Sequence, residues 1–149
     1  MTDEQKAITG HALQQTLVDL IDLSLVAKQA HWNVVGRNFR SVHLELDELV
    51  TVSREFTDQA AERATAIGVS PDGRAETVAK TAGTTGFGDG WTSDTEVITS
   101  IVDNLKAVIP GLRMRLDETE DADPVTQDLL ISFAAKLEQL HWMWQAQIA

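Results

Sequence analysis

The chain has 149 residues, 43% of them hydrophobic, enough for one globular domain with a sizeable core. It has no cysteine, which excludes disulfides, thiolate catalysis and cysteine-ligated zinc. A net charge of −11, with Lys6 the only Lys or Arg in the first 27 residues and none after Lys136, disfavours direct binding to nucleic-acid phosphate.

In chain order, the start Met1-Thr2-Asp3-Glu4-Gln5-Lys6 lacks the basic-then-apolar pattern of a signal peptide. No apolar run reaches the ~18 residues of a membrane span. The expected location is therefore the cytoplasm, with no membrane partner. Leu13, Leu17, Leu20, Ile21 and Leu25 recur at helical spacing and predict a first helix from about Asp3 to His31 or Trp32, ended by Asn33 and Gly36. Leu44, Leu46, Val50 and Ile67 predict a second from about Asn38 to Ile67, with Gly68 just past its end and Pro71 beyond. A glycine-rich stretch follows, in which Ala75 to Lys80 can form a short extra helix. Ser93-Asp94-Thr95-Glu96 is a capping-box pattern opening a third long helix, where Pro110-Gly111 should introduce a kink. Asp123-Pro124 reads as the start of a last helix continuing to the C-terminus. Alternation typical of strands is absent. Two hairpins of long helices joined by one long connection predict an all-α, ferritin-like four-helix bundle with a single crossover, as one domain over 1–149.

The chemistry-bearing residues lie mostly on the second helix. His43-x-x-x-Asp47 and Asp58-x-x-x-Glu62 are each spaced i,i+4, so each pair shares a face. The pairs are offset by eleven residues, only ~20° of rotation but ~16 Å along the axis. One metal centre cannot use both pairs of one chain. Two antiparallel copies of the helix, crossing near Val52-Ser53, would bring each copy's His43 and Asp47 beside the other's Asp58 and Glu62. His31, across the turn Asn33-Val34-Val35-Gly36, adds another imidazole. A lone helical histidine is ordinarily a surface or packing residue; this combination suits a metal such as iron, zinc or manganese.

The segments His31-Trp32-Asn33-Val34-Val35-Gly36, Phe39-x-x-x-His43-x-x-x-Asp47-Glu48, Asp58-x-x-Ala61-Glu62-Arg63 and Ile67-Gly68-x-x-Pro71 resemble the Dps family, the mini-ferritins also called DNA-binding proteins from starved cells. Asp128-Leu129-Leu130-Ile131 and Trp142-Met143 extend the likeness over nearly the whole chain. The resemblance implies a hollow homododecamer with mono- or di-iron ferroxidase sites at twofold interfaces. His31 and His43 would come from one subunit, with Asp47 near or joined through water, and Asp58 and Glu62 from its partner. The implied reaction is oxidation of Fe(II), preferably by hydrogen peroxide and otherwise by dioxygen, followed by ferric mineral storage and protection against oxidative damage.

Trp32 is by default a core residue, or, beside His31, a sink for stray oxidising equivalents. The cluster Asp117, Glu118, Glu120, Asp121, Asp123 and Asp128 contains no base. It reads either as a solvated turn or, by the resemblance, as a threefold pore admitting iron, with Asp123, Asp128 and then Asp121 matching best. Arg63 suits a structural ion pair. A single Glu138-x-x-His141 falls short of the two Glu-x-x-His motifs of an intrachain di-iron centre, so His141 reads as a packing or surface residue. The alternative function is nucleoid DNA compaction. Neither end carries the lysine-rich tail that would support it, although association bridged by divalent cations stays open.

Overall fold

The computed structural model describes all residues 1–149. Its long helices are α1 (Asp3–Asn33), α2 (Phe39–Ala66), α4 (Asp94–Thr119) and α5 (Pro124–Gln145), with a short α3 (Ala75–Thr81) in the crossover. The expected ferritin-like bundle is present: α1 pairs with α2, α4 with α5, and α1 also faces α4. The core runs through Leu13, Leu20, Leu23, Leu46, Leu49, Ile101, Leu105, Phe133 and Leu137, all at most 2% exposed.

Local chemistry sets the helix ends. Thr2 and Gln5 form a capping box at the start of α1, and Ser93 and Glu96 another at the start of α4. At the end of α2 the Gly68 amide donates to the Thr65 carbonyl (2.9 Å) and the Val69 amide to the Ala64 carbonyl (2.8 Å). This Schellman closure needs the positive φ of Gly68, +76°. Pro110 does not break α4, which is one continuous helix. Pro110 and Lys106 are both exposed, so the Lys106 carbonyl deprived of a backbone donor can bond water.

The crossover is strapped to the bundle by side chains. Gln14 exchanges two hydrogen bonds with the Asp72 backbone, and buried Asn104 grips Thr85 and Gly86 with bonds of 2.9 to 3.1 Å. Where the crossover ends, Thr92–Ser93 pairs in parallel with Val34–Val35. This two-residue ladder was not expected, and it is too short to leave an alternating pattern. The Asp94 carboxylate accepts from the Asn38 amide at 2.8 Å. Asp94 lies so close to Gly36 (φ +126°) that a β-carbon there would come within 2.9 Å of it. The turn between α1 and α2 is thus pinned from outside.

Candidate metal centre

That pinned turn brings two imidazoles face to face. His31, on the last turn of α1, is 8% exposed, and His43, near the start of α2, is half-buried. Their rings stack with centroids 3.7 Å apart and planes at 15°, and Phe39 covers the pair by stacking on His43 at 4.9 Å. His31 Nδ1 donates to the His43 carbonyl at 2.7 Å, and His43 Nδ1 donates to the His31 carbonyl at 2.8 Å. A carbonyl can only accept, so both rings carry a proton on Nδ1, which in the neutral ring leaves the lone pair on Nε2. Fixing the tautomer through the far nitrogen is how proteins orient histidines that ligate metals.

The acids divide into two groups. Asp47 Oδ1 lies 2.7 Å from Lys28 Nζ and 3.5 Å from His31 Nδ1. The Lys28 hydrogen bond holds the Asp47 carboxyl below its ordinary range, against partial desolvation. Asp58 and Glu62 are exposed farther along the same uninterrupted helix of 28 residues, so their axial separation from the histidines stands. Within one chain no group of three or more His, Asp or Glu side chains converges to hold a metal ion. The fold thus presents two partial donor sets.

Residues 10–149 match the ferritin-like domain family. The chain is 32% identical to the DNA protection during starvation protein of Mycolicibacterium smegmatis, over 99% of this chain and 81% of that protein. It is 35% identical to the fine tangled pili major subunit of Haemophilus ducreyi, over 94% of this chain and 76% of that protein. The structure of Dps from Microbacterium arborescens in the high iron form superposes with a TM-score of 0.93 at 29% identity, covering 99% of this chain and 96% of that one. The chain belongs to the Dps family of ferritin-like proteins. It is accordingly a mini-ferritin of the iron-storage type.

In this Dps chain the remaining candidates fall in distinct places. Asp121 and Asp128 are exposed, but Asp123 is only 7% exposed. Its Oδ2 accepts from Arg63 at 2.6 Å and from the Thr126 hydroxyl at 2.5 Å. Burial pushes the Asp123 carboxyl up, yet these two hydrogen bonds and the Arg63 charge outweigh it and hold it below the ordinary value. Asp123 is therefore a buried anchor between α2 and α5, not the solvent-facing carboxylate expected of a pore lining. Nor does its side chain cap α5 through a backbone amide. Arg63 makes the structural ion pair anticipated for it.

Trp32 is 64% exposed, which removes the core reading. Two positions apart on α5 and so on different faces, Trp144 is fully buried and Trp142 is 66% exposed. Glu138 is held by Arg113 through two hydrogen bonds, at 2.6 and 2.9 Å, and is not paired with His141. The bundle interior holds a different ion pair, Arg115 with Asp19 at 2.7 Å. Lys28 is the site residue missed in the sequence; its position one turn before His31 was the available signal.

Proposed function

We propose that this Dps protein oxidises Fe(II) at sites shared between two subunits and stores the ferric product as mineral inside a dodecameric shell. The observation that carries the reading is the reciprocal bonding of His31 and His43 through Nδ1, which leaves both Nε2 atoms without a hydrogen-bond partner in the chain. The acids able to complete the set, Asp58 and Glu62, are out of reach in the same chain and exposed for a second copy. A relative of the same fold has been solved in a high iron form.

In a twofold pair the imidazoles of one subunit would bind Fe(II) together with Asp58 and Glu62 of the partner subunit. Neutral imidazoles suit Fe(II), and anionic carboxylates favour Fe(III) because the added charge meets oxygen anions. Hydrogen peroxide fits as oxidant. Its O–O bond takes one electron from each of two Fe(II) ions, and two protons convert the fragments to water, so little hydroxyl radical escapes. Exposed Asp121 and Asp128 serve the path by which Fe(II) is admitted, and Trp32 beside the site takes up stray oxidising equivalents. The test is anaerobic Fe(II) loading followed by peroxide, on wild type and on His31→Ala/His43→Ala, with native mass measured for both. Loss of oxidation with assembly intact supports the reading; unchanged oxidation refutes it.

DNA compaction is the weaker reading. A chain of net charge −11 has little to offer phosphate. Removing Fe(II) and peroxide protects DNA without touching it. A low-salt gel-shift without divalent cations should show no retarded band.

A further inference from the structure

Resting on the shared-site reading, we infer that Asp94, the first residue of α4, is a positioning residue for the imidazole pair: by holding the turn between α1 and α2, it keeps His31 set against His43. The two rings exchange hydrogen bonds with each other's carbonyls at 2.7 and 2.8 Å, so their geometry depends on where α1 ends and α2 begins. A ligand set needs placement within about 0.5 Å. The start of α2 is not held by its own residues. The Asn38 side chain makes no capping hydrogen bond, and the first turn of α2 carries no acid.

Asp94 supplies what α2 lacks. Its Oδ2 accepts from the Asn38 amide at 2.8 Å, which places a carboxylate at the positive end of a 28-residue helix. Its Oδ1 accepts from the Thr95 amide at 2.9 Å, so the side chain is itself anchored on α4. Asp94 is 9% exposed, and its hydrogen bonds go to amides, not to an imidazole. Gly36 abuts the carboxyl group, and the Thr92–Ser93 strand just before Asp94 pairs with Val34–Val35. The hold carries through to the site. The Phe39 amide donates to the Gly36 carbonyl and the Val42 amide to the Asn38 carbonyl, both at 3.1 Å, and His43 follows on the next turn. Without the carboxylate the Asn38 amide loses its partner, the first turn of α2 frays, and His43 shifts against His31.

The test uses Co(II), a redox-stable probe, titrated anaerobically into the assembled full-length protein, with Co(II) bound by His31→Ala/His43→Ala subtracted. Asp94→Ala should bind the histidine-dependent Co(II) at least about tenfold more weakly. In the metal-free protein its amides from 34 to 43 should exchange faster than in wild type. Asp94→Asn, which keeps an oxygen for the Asn38 amide and gives up the charge, should recover most of the affinity. Thr2→Ala, which removes a cap at the other end of α1, should bind as wild type does. Wild-type affinity in Asp94→Ala, no recovery in Asp94→Asn, or an equal loss in Thr2→Ala would overturn the inference. If Asp94→Ala does not assemble, Gly36→Ala decides, because its β-carbon would stand 2.9 Å from the Asp94 carboxyl carbon and push the carboxylate away. Undiminished affinity in Gly36→Ala would overturn the inference as well. A wild type with no histidine-dependent Co(II) would refute the shared-site reading itself, and this inference with it.

Discussion

The sharpest consequence of the donor geometry is subunit complementation. His43→Ala removes a donor from the imidazole half of a site, and Glu62→Ala removes one from the carboxylate half. In a twofold pair each half-site faces the opposite half of its partner, so every dimer holds two sites. A dimer of one His43→Ala and one Glu62→Ala subunit joins the sound imidazoles of the second to the sound acids of the first, while its other site is doubly broken. Random pairing of equal amounts makes half the dimers mixed, so about a quarter of all sites are restored. Neither variant alone has an intact site. Each variant would be dissociated, mixed, reassembled and checked by native mass for mixed shells, and the initial rate of peroxide-driven Fe(II) oxidation measured. Recovery near a quarter of the wild-type rate is expected. Verified mixed assemblies with no more activity than the separate variants would show that the donors meet within one chain, and the ~16 Å argument would be wrong.

Other substitutions separate the roles assigned to individual residues. Asp128→Asn should slow Fe(II) uptake while leaving oxidation at saturating iron intact, and an unchanged uptake rate would count against a pore role. Asp123→Asn should act on stability, costing about 3 kcal/mol by breaking the Arg63 pair. Because the folded-state pKa of Asp123 is depressed, its stabilisation is present above the unfolded value of about 3.9 and is lost as pH falls through the folded one. The thermal-stability gap between wild type and Asp123→Asn should therefore be wide at neutral pH and close in acid. Trp32→Phe should raise hydroxyl-radical yield and peroxide-dependent self-damage during turnover; spin-trapping that finds no difference would remove Trp32 from the chemistry.

What could be read in the sequence was whatever depends on near neighbours. Helical periodicity, the Ser93–Glu96 capping box and Gly68 beyond α2 each act within a few residues, and all appear at the expected positions within a residue or two. The i,i+4 pairs His43/Asp47 and Asp58/Glu62 depend only on an unbroken α2, and α2 runs through all four residues. The failures involve partners far apart in the chain. Asp123 stands at the N-cap of α5 as its sequence indicates, but its carboxylate is taken by Arg63, sixty residues earlier, rather than by a backbone amide of α5. The Val34–Thr92 ladder is likewise a long-range pairing of two residues per strand. Lys28 combined both difficulties, being near His31 in sequence but significant only once α2 brings Asp47 to it.

The interior of the bundle is poorly suited to hold a metal ion. Asp19, only 4% exposed, is a buried carboxylate between α1 and α4, and both its oxygens are engaged. Arg115 takes Oδ2 at 2.7 Å, while the Gly83 amide at 2.7 Å and the Gln15 side chain at 3.1 Å take Oδ1. A metal ion there would have to displace a buried guanidinium and release the crossover strap at Gly83, leaving an uncompensated charge in the core. Glu138, the nearest thing to an intrachain ligand motif, is committed to Arg113. On the proposed reading, the Nε2 atoms of His31 and His43 and the exposed carboxylates of Asp58 and Glu62 are brought together only by another copy. If the proposed shared site is right, the same ion pairs that stabilise the bundle make iron chemistry conditional on assembly, so a monomer should fold with its helices intact and oxidise no iron at these residues.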